Sequence, residues 1–140
     1  MVDYIENLDK EQKIAFLSVL AHIAHSDGHF DEKERNFIQT IAYSYGISED
    51  VQKEIVRDHT KDEIIKIAAS ITDRKGKLNL MREIFSISYA DGDMSDEEIV
   101  AASIIGEAMG LEMEKLQEIS LWVIEGIEWQ ERGLLIFEEQ

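Results

Sequence analysis

Cysteine is absent from the chain, and so is proline. The first absence excludes disulfides, thiol nucleophiles, all-thiolate zinc sites and iron–sulfur clusters together. The second removes the residue that most often breaks a helix, and in a chain rich in Ala, Ile, Leu, Glu and Lys it favours long uninterrupted helices. Basic residues are scarce as well. Fourteen Lys and Arg stand against 30 Asp and Glu, a formal net charge of -16. A surface this acidic is repelled by phosphate backbones and anionic lipid, so nucleic acid is not expected as a partner, whereas cations and basic protein surfaces are. No apolar run is long enough to span a bilayer. The opening MVDYIENLDKEQ lacks the basic and apolar regions of a secretory signal, so the reading is a cytoplasmic chain with no direct membrane insertion.

What is present is helical periodicity in a chain of 140 residues, 44% hydrophobic and 31% charged, enough for one domain over 1–140. Apolar residues return every three or four positions. Ile14, Leu17, Ala21 and Ala24 mark one face of a first helix from Asp9 to about Ser26. Asp31, three before Glu34, opens a second that carries Phe37, Ile38, Ile41 and Ala42 and stops at Gly46. Ser48 opens a short third helix, and Thr60 with Glu63 caps a fourth. Asp73–Lys77, DRKGK, reads as the turn between two halves. A fifth helix follows through Leu78, Met81, Ile84 and Phe85. Ser95 with Glu98 caps a sixth that ends at Gly110. From Glu112 on, Leu116, Ile119, Trp122, Val123 and Trp129 keep helical spacing, with Gly126 and Gly133 as places where the helix can bend or divide. The tryptophan stripe reads as core. The apolar chain end, Leu134–Phe137, is expected first to fold back on the bundle, second to form a homodimer, and third to meet a hetero-partner.

The second half echoes the first. An offset of 64 brings Asp27 onto Asp91, Gly28 onto Gly92, Glu34 onto Glu98, Ile41 onto Ile105, Gly46 onto Gly110 and Ile55 onto Ile119. The reading is therefore an all-α bundle with internal pseudo-two-fold duplication, its repeat halves at about 9–58 and 74–122. In each copy the Asp sits where a helix ends and the Glu in the first turn of the next. The helix dipole opposes the first charge and favours the second. A hard divalent cation, Ca2+, Mg2+ or Mn2+, would relieve the crowding of Asp27, Glu34, Asp91 and Glu98. The simpler reading is that Asp31 with Glu34, and Ser95 with Glu98, only cap helices.

Two other ligand sets are weaker alternatives. Asp91, Asp93 and Asp96, with Asp31 in the first half, offer further carboxylates, but DGDMSDEE is no EF-hand. Asp96 occupies its glycine position, and Ala102 stands where a bidentate glutamate belongs. His22, His25 and His29 have spacings of three and four and could hold Zn2+ or Ni2+ if the turn at Gly28 aimed them together. Catalysis finds no nucleophile elbow, H-E-x-x-H helix or phosphate loop, so no enzyme is expected.

The motif carried by SDGHFDEKE (Asp27, Gly28, Phe30, Glu34) and ADGDMSDEE (Asp91, Gly92, Met94, Glu98) resembles the TerB family, named for tellurite resistance. It is also similar to the TerB-like domain of a membrane-anchored DnaJ-type co-chaperone. The resemblance covers about Leu17 to Ile119 and departs from the usual pattern at Ser26 and His29. It implies an all-α fold of about seven helices in one compact bundle, acidic residues near the centre with a proposed metal, no established catalytic activity, and a role in tellurite, phage and chemical stress. It also implies a protein partner, a TerC-like membrane protein.

Overall fold

The computed structural model describes residues 3–26, 30–89 and 92–138. A short 3-10 helix, Asp3–Asn7, leads into α1 (Lys10–Ser26), α2 (Glu32–Ser44), α3 (Glu49–Val56), α4 (Lys61–Ala69), α5 (Arg74–Tyr89), α6 (Asp96–Ala108) and α7 (Met113–Phe137). The chain is all-α, with no strand among the described residues.

Helix α1 organises the rest. It packs against the 3-10 helix and every α-helix except α7. Residues Ala15 to Ala21 are buried without a break, followed by Ile23. A helix that is apolar all round belongs in the middle of a core. The expectation of a single apolar face on Ile14, Leu17, Ala21 and Ala24 was thus too narrow, because that face is flanked by Phe16, Val19, Leu20 and Ile23, each at most 4% exposed. The one hydroxyl in the run, Ser18, donates to the Ile14 carbonyl at 2.8 Å and so needs no water. Across from α1, Leu80, Met81 and Ile84 of α5 and Ile105 of α6 are fully enclosed. Helix α2 touches only α1 and α3. Hence Ile38 and Ala42 are buried on it while Phe37 is half exposed.

The helix ends follow the capping chemistry of the sequence. Asp9 accepts from the Gln12 amide at 2.8 Å, and Ser48 accepts from Val51 at 3.4 Å. Thr60 and Glu63 form a reciprocal capping box. At the C-termini of α2 and α6 the same motif recurs. Gly46 and Gly110 take φ of 74° and 73°, and the following Ile47 and Leu111 donate back to Ala42 and Gly106 while plugging the core. This is a Schellman stop, whose left-handed residue is glycine because a Cβ there is strained.

Two boundaries differ from expectation. DRKGK is not a turn. Asp73 accepts from the Gly76 amide at 2.8 Å and starts α5, leaving the connection at 70–73. Gly76 sits inside the first turn because an added Cβ would come within 3.1 Å of Leu8 and 3.3 Å of the Asp73 carboxylate. Nor do Gly126 and Gly133 break the last helix. α7 runs for 25 residues, about 37 Å. Only Leu116 and Val123 are buried on it. Trp122 and Trp129 are 63% and 68% exposed, and Leu134 to Phe137 lie in solvent instead of folding back.

α6 and α7 meet closely at Gly106, where a Cβ would lie 2.6 Å from the buried Leu116 of α7. Gly106→Ala is expected to lower stability by about 1–3 kcal/mol through overpacking, despite alanine's better helix propensity. Urea denaturation of the two proteins would show this as a lower midpoint at unchanged slope.

Candidate functional site

The two acidic corners lie where α1 hands over to α2 and where α5 hands over to α6. Helix bounds match at the offset of 64: Glu32–Ser44 maps onto Asp96–Ala108, and Glu49, which opens α3, maps onto Met113, which opens α7. In the first corner Phe30 packs on the core, with its ring centroid 4.2 Å from that of His25. Asp31 then accepts from the Glu34 amide at 2.8 Å as the N-cap of α2. In the second corner Met94 is the buried plug. Ser95 accepts from the Glu98 amide at 3.1 Å, and Glu98 Oε1 accepts from the Ser95 amide at 3.0 Å. The spacing of each motif is therefore accounted for by an apolar plug followed by a capped helix start.

Of the candidate ligands, Asp27, Asp91 and His29 lie outside the described residues, as does Gly28. Glu34 and Asp31 are exposed in the first turn and cap of α2. Glu98 is half-buried, while Asp93 and Asp96 are exposed at the second corner. Among the described residues no three His, Asp or Glu side chains converge tightly enough to hold a metal ion. The donor set itself suits a hard cation. The capping box occupies only one oxygen of Glu98, so its other oxygen can face a ligand.

The histidines gather differently from the expected His22, His25 and His29 series. His25 Nε2 bonds the Val56 carbonyl at 2.9 Å, tying the end of α1 to the end of α3. His22 lies within electrostatic reach of His25, Asp58 and His59. Burial pushes the His22 imidazole below its ordinary value, with the Asp58 carboxylate opposing and His59 and His25 adding to the fall. Burial also lowers His59, which is 5% exposed, and the Arg57 guanidinium lowers it further. His22 also lines a surface cleft of about 440 Å3 with Lys61, Asp96 and Glu97, so α1 and the start of α6 share one wall.

Sequence reasoning missed this second centre. Arg57, at the end of α3, bonds both Glu54 and Glu63, joining α3 to the N-terminus of α4. The Arg57 hydrogen bonds and the amide of Thr60 hold the Glu63 carboxyl down at about 2. Only the Thr60–Glu63 spacing was visible in sequence, because the guanidinium reaches the site by a turn in the chain. Glu83 of α5, 2% exposed beside Arg82 at 3.3 Å, was likewise hidden within a helical pattern.

The sign of the pH dependence follows from these shifts. A carboxyl whose folded value lies near 2 contributes stability above the ordinary carboxylate range and loses it as pH falls toward 2. Histidines lowered by burial take up their protons on unfolding, so their contribution is present above about 6.5 and falls below it. Two results are expected. Glu63→Gln is less stable than the parent at neutral pH, and the gap narrows as pH drops through 4, read from urea midpoints across the pH range. His59→Gln flattens the loss of stability between pH 7 and 5, measured in the same way.

Residues 2–57 match the TerB family, described as Tellurite resistance protein TerB. The match runs from the start of the chain through α3 and takes in the first acidic corner but not the second. The family resemblance read from the doubled motif is borne out over that stretch. Comparison with curated proteins and with solved structures found no match.

Proposed function

We propose, taking the TerB match over residues 2–57 as the premise, that this chain is a non-enzymatic stress-response module of the tellurite-resistance type. It binds a divalent cation through Asp27, Glu34, Asp91 and Glu98 and docks a protein partner. The observation that carries this reading is the recurrence of one corner at an offset of 64, with the same helix bounds and the same Schellman stops. Its first copy lies in the matched family segment. Ca2+, Mg2+ and Mn2+ suit all-oxygen ligation better than Zn2+ does. A formal charge of -16 supports a basic face on the partner, and a TerC-like membrane protein is the partner the family resemblance supplies.

A second reading has its own support. Glu98 already serves Ser95 in a reciprocal box, and Asp31 caps α2, so the carboxylates are useful without any cation. On that reading the chain is a protein–protein interaction domain and nothing more.

Metal dependence separates the two. In the chelator-stripped protein, a cation at about a hundred times its dissociation constant is expected to stabilise the fold by about 2.7 kcal/mol. Thermal melts with each cation in turn should show an upward shift that disappears in the Asp27→Ala, Asp91→Ala double variant. A wild-type midpoint that no cation moves assigns the corners to capping alone.

A further inference from the structure

Among the described residues, no apolar side chain of α7 beyond Ile127 packs on the core. Ile127 is the last residue of α7 packed on the core, yet the helix continues to Phe137. Over that stretch Trp129 is 68% exposed and Phe137 86%. The exposed residues form an ordered stripe. Trp122, Gly126, Trp129, Gly133 and Ile136 follow one another at steps of 4, 3, 4 and 3. They therefore line one side of the helix in the manner of a coiled-coil seam. Glycine is a poor helix former, and an added Cβ at Gly126 or Gly133 would meet nothing within 4 Å. Among the described residues no contact calls for glycine at either position.

Surface area points the same way. The chain exposes 8804 Å2, whereas a compact monomer of its 16.1 kDa exposes about 7,400 Å2. The surplus of about 1,400 Å2 exceeds the roughly 800 Å2 per partner that a standard interface buries.

We propose that this face is a homodimer interface, in which α7 pairs antiparallel with α7 of a second copy about a two-fold axis between Ile127 and Glu128. That register sets Trp122 over Gly133 of the second copy and Trp129 over Gly126, with Ile136 reaching the edge of Ile119, which is partly buried on its own core. Each indole enters the gap left by a missing Cβ. It also brings Glu125 alongside Arg132 of the second copy, twice by symmetry. Arg132 is the only basic residue of α7 beyond Lys115. A parallel pair would instead stack Trp on Trp, Gly on Gly and Arg132 on Arg132. The pattern is thus complementary to itself in one orientation, which is what a two-fold interface requires. Because each copy carries -16, salt should tighten the dimer by screening their repulsion, whereas it would weaken binding to a basic partner.

Sedimentation equilibrium of the full chain across the micromolar range, at low and high salt, tests this. The expected mass is twice 16.1 kDa, with association stronger at high salt. Trp129→Glu should return the chain to a monomer with its helical circular dichroism intact, since the side chain is exposed, and with a melt that no longer depends on protein concentration. Gly133→Leu should do the same by filling the gap, although it improves helix propensity. Glu125→Arg and Arg132→Glu should each weaken association about tenfold, and the double reversal should restore it. A wild-type chain that stays at 16.1 kDa throughout overturns the proposal, and its capture by lipid vesicles would then assign the face to a membrane surface. A dimer indifferent to Trp129→Glu, or a charge reversal that does not recover, overturns the antiparallel seam. None of these readouts depends on a cation, so the dimer and the metal reading fail separately.

Discussion

Everything in this bundle is arranged around the need to bury α1 on all sides. Its central run from Ala15 to Ile23 has no hydrophilic stripe to offer water, so α2 to α6 and the 3-10 helix must together enclose it. Ser18 is tolerated there because its hydroxyl folds back onto the helix backbone. Polar chemistry is displaced to the ends of α1 and to the helices outside it. The acidic corner, the His22 cleft and the Arg57 cluster all lie at that rim. At the last two, burial lowers the His22 and His59 imidazoles.

Helix positions recur at an offset of 64, while the surroundings of the helices differ. At that offset α6 matches α2 at both ends and α5 starts where α1 does, and the stops at Gly46 and Gly110 agree to within a degree of φ. Contacts between the halves are unequal. α1 packs on α6, whereas α2 makes no contact with α5, and α4 packs on both α1 and α6. One corner therefore faces solvent along a thinly covered α2, and the other adjoins a cleft that His22 shares with Asp96 and Glu97. The two corners thus stand in different surroundings.

α7 completes the core with its first half and leaves it with its second. Leu116, pressed against the bare backbone of Gly106, and Val123 hold the proximal turns, and Arg74 pairs with Glu112 at 3.0 Å where the helix begins. Beyond Ile127 the helix keeps its apolar spacing after the bundle has ended. Sequence periodicity reports that a face is apolar. It does not report what, if anything, lies opposite.

The sequence by itself determined the fold class and most of the helix ends. These depend on neighbours within one turn: Asp31 on the Glu34 amide, Thr60 with Glu63, Ser95 with Glu98, and glycine after α2 and α6. Such bonds span three or four residues, so the order of residues is enough to see them. DRKGK misled because Gly76 is there to let Leu8 approach, a contact made across 68 positions. The same limit hid the meeting of Arg57 with Glu63 and of His22 with His59, and the solvent around Trp129 and Phe137. Tertiary structure alone decided these, because burial and ion pairing depend on which surfaces the folded chain brings together, and short-range spacing carries no record of that.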